Sequence, residues 1–123
     1  MGKVTLDWDD ETLVFCKYGI VYHLYLDICS VVETEHIYLT DNLKEVFNEM
    51  ENCVIDSMLG YVFSSNMIDA EDAKILWGII VKAIEKYKND YPAMQEWVES
   101  ALMAFKEKMY VKLSEVISSR VDR

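Results

Sequence analysis

The chain has 123 residues, the size of a single domain, and 52% of them are hydrophobic, which is typical of a protein with a packed core. Its 22 acidic residues outnumber its 12 basic residues, and the net charge of −10 argues against nucleic acid and anionic membranes as partners. We therefore interpret residues 1–123 as one helical domain that binds neither nucleic acid nor anionic membranes.

The cysteines and the ends of the chain bear on its location. Cys16, Cys29 and Cys53 are odd in number and lack CxxC spacing, so we interpret them as reduced thiols of a cytosolic protein. The first ten residues lack the basic start and apolar centre of a signal peptide, and no apolar anchor follows residue 117. The sequence therefore predicts a cytoplasmic protein without a membrane anchor.

The first predicted element covers residues 11–32, after an acidic lead-in at residues 1–9. Apolar side chains recur there at three- and four-residue steps, which predicts a long helix. The many β-branched and aromatic residues leave a pair of strands as the alternative. We interpret Tyr18, Tyr22 and Tyr25 as part of the core, with a dimer surface as the alternative.

A second helix is predicted to begin at residues 40–42, where Thr, Asp and Asn provide a cap. It has an apolar face and is expected to break near Gly60, before a loop at residues 64–66. The members of the apolar face are Leu43, Val46, Phe47, Met50, Cys53 and Val54.

The central predicted helix covers residues 69–87, with Asp69 as its cap. Residues 75–81 are seven uncharged positions in succession, so most of this helix must be enclosed by other helices. One narrow stripe is polar, and Gly78 lies in its middle, where Gly costs about 1 kcal/mol relative to Ala. The stripe consists of Lys74, Gly78, Lys82 and Glu85.

The last predicted helix begins at Pro92, because Pro suits a first helical position, and it continues or kinks near residues 108–109. The elements together predict an all-α fold, a bundle of about five to seven helices around the central hydrophobic helix.

The residues that usually perform chemistry are scarce. His23 and His36 are thirteen positions apart on different elements, and no metal-ligand spacing, phosphate-binding loop or nucleophile motif is present. Cys16 and His23 would lie about two helical turns apart, too far for a hydrogen bond. The sequence therefore predicts a protein that is not an enzyme and has no metal site and no cofactor.

The Gly78 position admits two interpretations that physical reasoning weighs equally. The stripe is either an ordinary solvent-facing surface or a place where a partner helix approaches the bare backbone. In the second case Lys74 and Lys82 would meet an acidic residue of the ligand, and methionine-rich faces would supply adaptable contacts.

The central run resembles the first homology motif of the Bcl (B-cell lymphoma) apoptosis regulators, in which Asn-Trp-Gly-Arg precedes apolar residues. Trp77 and Gly78 match that motif, whereas Leu76 stands in the place of Asn and Ile79 in the place of Arg. Lys82, one turn further on, can supply the positive charge. The short, anchorless chain is similar to the small viral members of the family.

The resemblance implies a Bcl-like bundle and a viral inhibitor of apoptosis. The protein would bind pro-apoptotic host proteins in the host cytoplasm, by taking their helical third Bcl-homology motif into a hydrophobic groove. The groove residues that it implies are Phe47, Met50, Val54, Tyr61, Val62, Lys74, Gly78, Ile79 and Lys82.

Two alternative predictions retain a helical fold but differ in function. One is a Bcl-fold inhibitor of innate immune signalling that acts through its outer helix faces or as a homodimer. The other is an unrelated all-helical interaction protein.

Overall fold

The structure is a computed structural model that describes residues 3–56 and 61–121, and the side chains within residues 4–53 and 61–119. These described residues form three strands, four α-helices and one 3₁₀ turn, Ser65–Met67. In chain order these are β1 (Lys3–Trp8), β2 (Glu11–Lys17), α1 (Tyr18–Thr34), α2 (Asp41–Asp56), β3 (Val62–Phe63), α3 (Ala70–Asp90) and α4 (Glu96–Val121).

The three strands form one mixed sheet in the order β2-β1-β3. Strands β1 and β2 are antiparallel, whereas β3 runs parallel to β1 and pairs Phe63 with Trp8. Asp9 turns the hairpin with a φ of 52°. Its carboxylate accepts hydrogen bonds from the backbone N–H and the hydroxyl of Ser65, at 3.1 and 2.9 Å. The turn of the hairpin is thereby joined to the segment that follows β3.

The predicted all-α fold is wrong, because the chain begins with this sheet, and the described residues contain four α-helices rather than five to seven. The predicted helix at residues 11–32 is a strand followed by a helix. The acidic lead-in is itself a strand, in which Val4, Leu6 and Trp8 are buried and the residues between them are partly exposed. This two-residue period is that of a half-buried strand.

The helix starts follow the sequence closely at two of the four predicted places, and the first of the four, residue 11, is the start of β2. Thr40 caps α2, since its hydroxyl accepts a hydrogen bond from the backbone N–H of Leu43 at 3.2 Å. Asp69 caps α3 in a reciprocal capping box with Asp72, as predicted for Asp69. Helix α4, however, begins at Glu96 and not at Pro92, and it continues unbroken through residues 108–109. The break predicted near Gly60 lies outside the described residues.

Asp72 joins the starts of α2 and α3. Its carboxylate accepts hydrogen bonds from the Thr40 hydroxyl at 2.6 Å, from the Asn42 amide at 3.1 Å and from the backbone N–H of Asp69 at 3.3 Å. Burial alone would raise the pKa of Asp72, but these hydrogen bonds outweigh it and lower the pKa below its usual value. The buried carboxylate is therefore charged, and both of its oxygens accept hydrogen bonds.

The core lies where α3 packs between α1 and α4, with the sheet against α1 and α4. Leu76, Ile79 and Ile80 of the uncharged run are fully buried. Tyr61 is equally buried, and its hydroxyl donates a hydrogen bond of 2.5 Å to the backbone carbonyl of Val21. Tyr61, the residue before β3, is thereby tied to α1.

Among the described helices, each is too short or too polar to cross a membrane.

Candidate functional site

The polar stripe of α3 faces solvent, with Lys74, Lys82 and Glu85 exposed. We call it the Gly78 stripe, and it consists of Lys74, Gly78, Lys82 and Glu85. A Cβ atom placed on Gly78 would meet nothing within 4 Å, so the backbone there is open. The Lys82 ammonium lies 2.8 Å from the carboxylate of Glu35, whereas the Lys74 ammonium lies 3.8 Å from that of Glu71. Lys74 is therefore the less firmly paired cation.

Several residues of the predicted groove lie in the core. Met50, Tyr61 and Ile79 are at most 1% exposed. Ile79 is buried because it is about 100° round the helix from Gly78, on the side that faces the protein interior. These three side chains have no surface to offer a ligand in this structure.

The remaining groove residues are spread over separate surfaces. Phe47 is half-buried between α1 and α2, and Val62 is 37% exposed on strand β3. The side chain of Val54 lies outside the described residues. Lys74, Gly78 and Lys82 share the Gly78 stripe, and the structure brings none of the other groove residues into it.

A different apolar surface adjoins the central helix, and the sequence reasoning missed it. The Trp77 and Tyr110 rings meet with their centroids 5.3 Å apart and their planes at 60°. They border an open depression of about 480 Å³ between α3 and α4, which we call the α3–α4 groove. Its lining consists of Trp77, Met103, Lys106, Glu107, Tyr110 and Val111.

The sequence did contain a signal for this groove. Met103, Tyr110 and Val111 recur at helical spacing, but on a different face of α4 from the buried residues. Tyr110 is 57% exposed and Val111 is 52% exposed, although both are large and apolar. Helix α4 thus has a second apolar face, which the core does not cover.

A smaller apolar depression of about 300 Å³ lies between α1 and α2, beside Phe47. There the Tyr25 hydroxyl donates a hydrogen bond of 3.2 Å to Glu51. Burial raises the pKa of Cys29 in its wall, and it raises the pKa of Cys16 in the core to about 11. These two thiols are protonated at neutral pH and are poor nucleophiles.

Cys16 and His23 belong to different elements and not to one helix. Cys16 lies on β2 and His23 on α1. His23 instead contacts Asp27, with 3.6 Å between its Nε2 atom and the Asp27 carboxylate.

The chain matches no known protein family, no curated protein and no solved structure.

Proposed function

We propose that this protein is an interaction protein, which holds an amphipathic helix of a partner in the α3–α4 groove and along the Gly78 stripe. The observation that carries the proposal is the groove itself, in which Trp77, Tyr110 and Val111 form an accessible apolar patch. Contiguous apolar patches of this kind mark the surfaces at which proteins meet their partners. Aromatic residues such as Trp and Tyr commonly provide most of the binding energy there.

The surroundings of the groove suit a helix as the ligand. Gly78 follows Trp77 directly, and the open space at its Cβ position lets another backbone approach α3 closely. Apolar residues at three- and four-residue steps on the ligand would enter the groove. Lys74, with its weakly held ammonium, would meet an acidic side chain of the ligand and fix its register.

The resemblance of Trp77 and Gly78 to the first Bcl-homology motif supports a particular ligand. In this proposal the ligand is the third Bcl-homology motif of a pro-apoptotic host protein. The protein would be a viral inhibitor of apoptosis in the host cytoplasm, and it would act by sequestration, without catalysis or a cofactor.

Calorimetric titration with a synthetic peptide of the third Bcl-homology motif tests this proposal. Gly78→Glu places a charged side chain in the path of the ligand, and Tyr110→Ala removes half of the aromatic pair. Both positions are accessible to solvent, so both variants are expected to fold. Tyr38→Ala is the matched control, since Tyr38 is 78% exposed and distant in sequence from both helices.

We expect the wild type and Tyr38→Ala to bind the peptide equally. Tyr110→Ala should weaken binding by about 2 kcal/mol, close to a thirtyfold loss of affinity, as is typical of an aromatic anchor. Gly78→Glu should abolish binding. If no such peptide binds, or if Tyr38→Ala and Tyr110→Ala behave alike, the proposal is wrong.

A second candidate function involves exposed apolar side chains on other elements. Phe15 on β2 and Tyr22 and Leu26 on α1 are between 42% and 69% exposed, and Tyr22 stacks on Tyr18. The alternative that we propose is a homodimer formed through these side chains, which inhibits innate immune signalling. Sedimentation would then give a dimer that Leu26→Asp dissociates, and a pull-down would recover signalling adaptors or kinases. A monomeric wild type would contradict this alternative.

A further inference from the structure

A cluster of three potential metal ligands lies where α1 meets the end of α3. His23 and Asp27 are one helical turn apart on α1, so their side chains share a face. Asp90 is the last residue of α3. One ligand atom from each of the three lies within 4.8 Å of the other two.

Two of these atoms have unmet bonding capacity. The Nε2 atom of His23 and the Oδ2 atom of Asp27 are buried without a hydrogen-bond partner within the described structure. They face each other across 3.6 Å, longer than a hydrogen bond. Asp27 is only 4% exposed, and a buried carboxylate oxygen without a hydrogen-bond partner is costly. A cation bound between the two atoms would satisfy both.

We propose that His23, Asp27 and Asp90 bind a divalent transition-metal ion, with Zn²⁺ as the best match. One imidazole nitrogen and two carboxylate oxygens are ligands that Zn²⁺ accepts at about 2.0–2.2 Å. Ligand atoms around a tetrahedral Zn²⁺ at those bond lengths are about 3.3–3.6 Å apart, close to the 3.6 Å between His23 and Asp27. Ca²⁺ fits less well, since it takes six to eight oxygen ligands.

The surroundings favour a cation and orient the imidazole. The C-terminal end of α3 carries a partial negative charge, which adds to that of Asp90. The rings of Tyr87 and Tyr91 meet the His23 ring edge to face, at centroid distances of 4.7 and 4.8 Å. These contacts restrict the rotation of the imidazole, as the outer groups of metal sites do.

One neighbouring group competes with the metal. The Lys86 ammonium lies 3.3 Å from the Asp90 carboxylate, one turn along α3. Asp90 must exchange this ion pair for a bond to the metal. Replacement of Lys86 should therefore strengthen metal binding. A metal ion bound elsewhere on the surface would not respond to this replacement.

Titration of the full chain with ZnCl₂ tests the proposal, with calorimetry for affinity and imidazole NMR for location. The chain has two histidines, His23 and His36, so the site can be assigned directly. We expect one Zn²⁺ per chain, a shift of the His23 nitrogen signals and no shift of those of His36. Asp27→Asn and Asp90→Asn should each lower the affinity at least tenfold, about what the loss of a supporting group costs.

His36→Gln is the matched control and should bind Zn²⁺ as the wild type does. Lys86→Met should bind it more tightly, and Zn²⁺ should raise the melting temperature of the wild type but not that of Asp27→Asn. Asp90 lies on the surface, so Asp90→Asn keeps the test valid if Asp27→Asn does not fold. Equal affinity of Asp90→Asn and the wild type, or a thiolate band on Co²⁺ addition that shows capture by a cysteine, would overturn the proposal.

Discussion

Replacement of Gly78 by Ala measures what the bare backbone of α3 costs this protein. Gly in a helix interior is about 1 kcal/mol less favourable than Ala. The new Cβ would meet nothing within 4 Å, and Gly78 has no positive φ, so neither a clash nor backbone strain offsets the gain. We therefore expect Gly78→Ala to raise the free energy of unfolding by about 1 kcal/mol, which is about 4 °C in melting temperature for a chain of 123 residues.

Urea unfolding followed by circular dichroism provides the assay. Gly19→Ala is the matched control: its Cβ position is also open, but it lies in the first turn of α1, where the gain should be smaller. A Gly78→Ala variant that is less stable than the wild type would refute the reasoning, because the fold would then require the absence of a side chain at position 78. If the helix of the partner also contacts the backbone at Gly78, the Gly78→Ala variant should bind the peptide more weakly than the wild type although it is more stable.

The further predictions concern three buried groups. Asp72→Ala should lower the free energy of unfolding by about 2 kcal/mol, because α3 loses its capping box and Thr40 loses its acceptor. Folding lowers the pKa of Asp72, so the carboxylate should contribute its full share of the free energy of unfolding above the unfolded pKa of about 3.9. That contribution should be lost as the pH falls through the folded pKa. An Asp72→Asn variant with the same acid-unfolding profile as the wild type would contradict this. Cys16, with a pKa of about 11, should react with a thiol reagent at pH 8 only after denaturation, and labelling of the native protein at Cys16, detected by mass spectrometry, would argue against its burial. Tyr61→Phe should cost about 1 kcal/mol in urea unfolding through the lost hydrogen bond to the Val21 carbonyl, and an unchanged midpoint would show that this bond contributes nothing.

The elements that local signals define were predictable from the sequence. The start of α2 at Thr40 and the cap of α3 at Asp69 follow from short side chains that accept backbone hydrogen bonds, and the contacts that make them are local. The beginning of α4 was missed because Pro92 suits a turn as well as a first helical position. In this chain Pro92 and Ala93 form a turn between α3 and α4.

The sheet was missed because its pairing is not local. Val4, Leu6 and Trp8 alternate as a half-buried strand should, but the run is short, and β1 acquires its second neighbour, β3, from more than fifty residues away. In residues 11–17 the buried positions Leu13, Val14 and Cys16 do not alternate strictly, so the pattern is compatible with a helix.

The candidate site was predictable only in part. The exposed stripe around Gly78 follows from helical spacing. The α3–α4 groove depends on which face of α4 the core leaves uncovered, and periodicity alone does not distinguish the two apolar faces of that helix. The same limit applies to His23, Asp27 and Asp90, since Asp90 reaches the other two only through the packing of α3 on α1.

The most direct test of the proposed function observes Trp77 while a ligand binds. The chain has three tryptophans, so a protein labelled with fluorotryptophan gives three assignable ¹⁹F signals. Trp8 in the core and Trp97 at the start of α4 serve as internal references. On addition of a peptide of the third Bcl-homology motif, we expect the Trp77 signal to shift with saturation while the other two stay in place. Binding that leaves Trp77 unshifted would contradict a ligand site in the α3–α4 groove.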